Sequence, residues 1–109
     1  MVRSVEVYRN SVLAGILTEE DNRHYTFRYD DKYFNDPSTQ PISLTLPKTS
    51  QEYKAAHLFP FFYNMLSEGV NRKLQSRTLR IDEEDDFGLL AATARYDTIG
   101  AVTVKPVII

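Results

Sequence analysis

The chain has 109 residues, of which 42% are hydrophobic and 12% aromatic. That suits a single domain spanning residues 1–109 with a core of its own, and it is too short for a protein kinase, a dinucleotide-dependent dehydrogenase or a TIM barrel. Thirteen basic and fifteen acidic side chains leave a formal charge of −2, against the basic excess of a dedicated nucleic-acid binder. Cysteine is absent, which removes disulfides, thiolate metal sites and a Cys nucleophile. The charged N-terminus, Met1 to Glu6, is no signal peptide, and no run approaches the ~20 apolar residues of a membrane span. A cytoplasmic setting is the expectation.

The first third predicts a β-meander. Val5 and Val7 alternate with Glu6 and Tyr8, Arg9-Asn10-Ser11 forms a polar turn, and Val12–Leu17 returns as a second strand. Gly15 marks a bulge or a close backbone approach. Tyr25, Phe27 and Tyr29 share one face of a third strand, with His24, Thr26 and Arg28 on the other. Asp30 to Pro41 reads as a loop anchored by Tyr33 and Phe34. Ile42–Leu46 alternates again, between Pro41 and Pro47, and predicts a fourth strand.

The middle is helical. Leu58, Phe59, Phe62, Met65 and Leu66 recur at spacings of three and four, which predicts a helix from His57 or Leu58 to a cap at Gly69. A basic helix over Val70–Leu79 follows, with Arg72, Lys73 and Arg77. A third helix, Phe87–Ala94, is capped by Asp85 or Asp86. Asp97–Gly100 predicts a turn. Ala101–Val104 predicts a last strand that returns to cover a sheet edge. The fold class is α+β: a small, curved, mostly antiparallel, barrel-like sheet with about three short helices.

Several motifs could carry chemistry. Asp86-Phe87-Gly88 spells the metal-binding triplet of protein kinases, but the Gly-rich loop and catalytic loop are missing, and a helix start is the favoured reading. The run Asp82–Asp86 lacks the spacing of a calcium loop and reads as a solvated acidic segment beside the basic helix. His24 and His57 have no sequence-local partner at triad or ligand spacing. The aromatic strand face could stack bases, but a core face is favoured. No catalytic residue, metal or cofactor is expected.

Taken in order, several segments resemble one family: Val12–Leu17 with Gly15, Tyr25–Tyr29, Pro41–Pro47, Leu58–Gly69 with Arg72, Asp86–Leu90 and Arg95–Val102. Together they resemble the N-terminal subdomain of HipA-type serine/threonine kinase toxins, from about Val5 to Pro106. Ser67 departs from the family's usual Pro, and Pro60 is a further departure. The kinase's catalytic positions have no counterpart in this chain. The Met1 start fits a whole protein, and the resemblance then implies a free-standing, HipS-like protein of a three-component HipBST toxin–antitoxin system. Such a protein is expected to be a non-enzymatic antitoxin that binds and restrains a HipT-like kinase toxin, with a HipB-like DNA-binding protein in the same complex. The alternatives are an activating or completing subunit of a split kinase, and a stand-alone regulator- or nucleic-acid-binding module that uses the basic helix. The expected partner surface comprises Tyr33, Phe34, Met65, Ser67, Glu68 and Gly69, because Met and aromatics are common anchors and the turn belongs to the best-matched segment.

Overall fold

A computed structural model describes residues 2–20, 24–66, 69–93 and 102–106. Among these residues, five strands and four short helices run in the order β1 (Arg3–Arg9), β2 (Val12–Glu20), β3 (His24–Tyr29), α1 (Asp31–Asn35), β4 (Glu52–Ala55), α2 (Pro60–Tyr63), α3 (Gly69–Leu79), α4 (Asp86–Thr93) and β5 (Val102–Pro106). The strands form one antiparallel sheet in the order β4-β3-β2-β1-β5. The sheet is open rather than closed, with β4 and β5 at its edges. The α+β class holds, with one more helix than expected.

The meander follows from period-2 patterning. Val5, Val7, Leu17, Tyr25, Phe27, Tyr29, Val102 and Val104 are buried on one face. The β1–β2 turn is a two-residue loop in which Asn10 and Ser11 both have positive φ, 51° and 67°. This is the type I′ geometry that matches strand twist. The register slips between Val7 and Tyr8, with Val7 opposite Gly15 and Tyr8 opposite Leu13. Gly15 therefore sits beside a bulge, as its sequence position predicts. A Cβ there would overlap the carbonyl oxygen of Arg28 and approach the Phe27 ring to 2.9 Å.

Three expectations need correction. Asp30 to Pro41 is not all loop: Asp30 caps α1, its carboxylate accepting from the Tyr33 N–H at 3.4 Å. The fourth strand is Glu52–Ala55, paired with β3, and not Ile42–Leu46. In the latter segment Ile42 and Leu46 are buried but Leu44 is 96% exposed. The Ser43 carbonyl accepts from the Leu46 N–H at 3.1 Å and the Ser43 hydroxyl from the Thr45 N–H at 3.2 Å. Such local bonds compete with a ladder. The helix expected up to Gly69 is a single turn, α2, with Pro60 in its first position. The N–H groups of Met65 and Leu66 reach back three residues, to Phe62 and Tyr63, and the tight turn buries both side chains. Gly69 opens α3 instead of closing α2. The expected Asp97–Gly100 turn lies outside the described residues.

The last two elements lie as expected. Asp85 caps α4, its Oδ1 accepting from the Gly88 N–H at 3.0 Å. Strand β5 pairs with β1, Glu6 opposite Lys105. Arg3 joins sheet and helix. Its Nη1 and Nη2 donate to the Asp85 carboxylate at 2.9 and 2.8 Å, and its Nε donates to Glu19 Oε1 at 2.9 Å. The guanidinium also lies 5.1 Å from the centre of the Phe87 ring. The hydrogen bonds from Arg3 hold the Asp85 carboxyl below the usual carboxylate range, and the Arg3 charge is correspondingly stabilised, above all by Asp85.

Two outcomes test this packing. Gly15→Ala should lower unfolding free energy by about 2–3 kcal/mol, read by urea denaturation, because the clash is with backbone and a packed ring. Asp85→Asn keeps a helix cap but loses the ion pair, and should cost about 1 kcal/mol at neutral pH. Because Asp85 is more acidic folded than unfolded, its contribution is present above the unfolded value and is lost as pH falls through the folded one. The gap between wild type and variant should therefore close below about pH 4 in parallel acid titrations.

Candidate functional site

Of the residues expected at a partner surface, Tyr33 and Phe34 lie on α1 and Met65 just beyond α2, elements that one aromatic row connects. The Tyr33 ring stacks on Tyr29 with centroids 5.9 Å apart, Tyr29 meets Phe27 edge-on at 4.9 Å, and Phe27 meets Phe62 at 5.9 Å. The row runs from α1 through β3 to α2 and forms the spine of the core. Burial pushes the Tyr29 phenol up to about 12, so it stays neutral and acts as a hydrogen-bonding post. It accepts from the Ile42 N–H at 3.1 Å and donates to the Leu46 carbonyl.

Tyr33 is 4% exposed and donates its hydroxyl to the Gln40 carbonyl. The Lys48 ammonium lies 5.4 Å from its ring centre. Met65 is 8% exposed, within the same core. Phe34 is half-buried, 6.3 Å from the Tyr29 ring. Gly69 is the first residue of α3, and Ser67 and Glu68 lie outside the described residues. The side chains of Tyr33 and Met65 thus work within this domain, and it is the neighbouring chain that offers surface.

Tyr63, two residues before Met65, is 46% exposed, and Leu74 and Leu79 on α3 are 60% and 43% exposed. Over residues 71–79, helix α3 buries no apolar side chain. Polar contacts hold it. Arg72 donates from Nε to the Glu83 carbonyl at 3.0 Å and pairs with Asp86, and Ser76 donates to the Ile81 carbonyl. Arg80 has φ 57°, and the Ile81 N–H reaches the Ser76 carbonyl at 3.0 Å, a Schellman ending with Arg in the place that favours Gly. The acidic run beside the basic helix thus engages it through Arg72. Asp86-Phe87-Gly88 opens α4, with Asp86 holding Arg72 and Phe87 in the core.

Sequence alone does not flag Leu44. It stands on a turn whose two ends are both held by the Tyr29 hydroxyl, and the Tyr53 hydroxyl donates to the Pro47 carbonyl at 2.7 Å. Pro41 and Pro47 bracket the turn, and the Ser43 and Thr45 hydroxyls on either side of Leu44 meet at 2.9 Å. A pinned, exposed leucine loses little entropy on docking. His24 and His57 are both exposed. No group of His, Asp or Glu able to hold a metal is found among the described residues, and no described helix is long and apolar enough to cross a membrane.

Comparison with known proteins places this architecture. The HipA N-terminal domain family matches residues 5–105. A putative kinase, Y4mE, of Sinorhizobium fredii (strain NBRC 101917 / NGR234) is 28% identical over 105 residues, 96% of this chain and 25% of that protein. The chain thus spans about a quarter of the putative kinase's length. An uncharacterized protein of Haemophilus influenzae (strain ATCC 51907 / DSM 11121 / KW20 / Rd) is 30% identical over 105 residues, 96% of this chain and 93% of that protein. With a match over residues 5–105, nearly its whole length, the chain belongs to the HipA N-terminal domain family.

Proposed function

We propose that this chain is a non-catalytic, antitoxin-like protein that binds and restrains a HipA/HipT-type serine/threonine kinase toxin in a tripartite toxin–antitoxin system. The observation that carries the reading is the family match over residues 5–105, with the same unit forming a quarter of a protein named a putative kinase. In such a kinase this domain has a larger body beside it. A separate copy of the domain can occupy the corresponding surface of a body that lacks one, and hold it in an inactive arrangement by population shift. The Haemophilus relative, nearly all of which aligns with this chain, supports the unit's occurrence in short proteins. A HipB-like DNA-binding protein would complete the complex, in the cytoplasm.

The proposed contact surface is the stretch that joins α2 to α3, Ser67 through Gly69 with Tyr63 beside it, together with Phe34, while the buried Met65 and Tyr33 support it from the core. The exposure of Tyr63 supports placing it there, since an exposed tyrosine is a frequent anchor at protein interfaces.

The decisive experiment adds the purified chain to a HipA-type kinase body without an N-terminal domain and follows phosphate transfer from labelled ATP. Transfer should fall in proportion to complex formed. A rise would overturn the restraining role in favour of an activating subunit, and the absence of any complex would overturn kinase binding. Within that assay, Tyr63→Asp and Glu68→Arg should each abolish co-purification with the kinase while leaving the circular dichroism spectrum and melting temperature of the chain unchanged. Retention of the complex by both folded variants would move the surface elsewhere.

A further inference from the structure

The core-facing side of the sheet is covered by the helices; the other side presents a row of residues that cross all five strands in register. Lys105 stands opposite Glu6, Glu6 opposite Ile16, Ile16 opposite Arg28, and Arg28 opposite Glu52. In order across the sheet the row reads positive, negative, apolar, positive, negative. Lys105, Arg28 and Glu52 are exposed, and Glu6 and Ile16 are half-buried. Tyr8 and Leu13, paired with each other and half-buried, flank the row's apolar centre. Among the described residues the charges have only light internal ties. Arg28 donates to Asp31 at 3.1 Å, Glu52 lies 3.8 Å from Lys54, Glu6 accepts from the Tyr8 hydroxyl at 3.2 Å, and the Lys105 ammonium is 4.9 Å from the Tyr8 ring centre. Exposed pairs of this kind contribute little.

Such a row is its own complement when reversed. We propose that this sheet face packs against the same face of a second copy, about a two-fold axis that runs along β2. Rotation about that axis places Ile16 on Ile16, Glu6 on the second copy's Arg28, and Lys105 on the second copy's Glu52. A two-fold axis across the strands would instead set Glu6 on Glu6 and Arg28 on Arg28, so charge selects the first arrangement. Strands are spaced about 4.8 Å, so the inner Glu6–Arg28 pairs sit close to the axis, and aligned sheets that cross at about 30° keep those pairs in register. At a sheet separation of about 10 Å both side chains reach. The face offers roughly 500 Å² per copy, near the lower bound for a specific interface, so the dimer is weak and reversible. This association is independent of the kinase-binding role.

Sedimentation equilibrium over rising concentration tests it. The full chain should shift from monomer to dimer mass, and added salt should oppose the shift. Glu6→Lys and Arg28→Glu should each stay monomeric, because each faces two like charges with itself. Mixed together, the two variants should form a heterodimer, since both inner pairs then become opposite again. A monomer mass for the wild type at roughly 1 mM, a dimer indifferent to either substitution, or monomeric variants that fail to associate when mixed would each overturn the proposal. Should a charge-reversed variant fail to fold, Glu6→Gln and Arg28→Gln should each weaken the dimer roughly fivefold, and unchanged association would overturn it.

Discussion

One guanidinium joins the parts of this domain. Arg3, at the start of the first strand, grips Glu19 on β2 and Asp85 at the head of α4, and lies against the Phe87 ring. Glu19 in turn accepts from the Tyr25 hydroxyl at 3.0 Å, so strands β1, β2 and β3 and the last helix share one polar contact. The arrangement needs the planar fork of arginine, because a lysine could not serve two carboxylates and an aromatic face together. It also gives Asp85 two tasks, since the same carboxylate caps α4. The position of α4 over the sheet, and with it the lie of α2 and α3, follows from this junction and from the buried Phe87, Leu89 and Leu90.

The strands were legible because one apolar face and one polar face alternate in Val5–Tyr8 and His24–Tyr29. Glu52–Ala55 escaped because its residues, Glu-Tyr-Lys-Ala, carry too little apolar pattern at an edge where one side of the ladder meets solvent. Ile42–Leu46 misled for the opposite reason: its alternation is real, but the Tyr29 hydroxyl and the local Ser43 bonds turn the backbone. Helix α1 spans five residues, too few to show a period, and its signal was the Asp30 cap alone. Of the surface residues, Met65 lay on a true apolar stripe, and such a stripe specifies burial before it specifies a partner. Tyr63 and Leu44 are singled out only by exposure, which sequence does not carry.

The domain therefore has two kinds of outward apolar chemistry. On the helical side, Tyr63, Leu74 and Leu79 stand out from short elements held by polar contacts. On the sheet side, Ile16, Tyr8 and Leu13 lie flat among ordered charges. The two sides are separated by the whole thickness of the core, so a partner on one leaves the other accessible. The proposed kinase contact draws on the helical side, and the proposed self-association draws on the sheet side, so the two need not compete.

The placement of β1 between β2 and β5 bears on how the chain comes to be folded in the cell. The hairpin of β1 and β2 is local and can form as soon as its residues are free. The other edge of β1 waits for Val102–Pro106, more than ninety residues later. At translation rates of roughly 5–20 residues per second, that interval lasts about 5–20 s. Throughout it β1 is an unpaired, valine-bearing edge, the kind that invites pairing with other chains. The charges at Arg3, Glu6 and Arg9 along that strand oppose such pairing until β5 arrives, so they guard the nascent chain as well as serving the finished one.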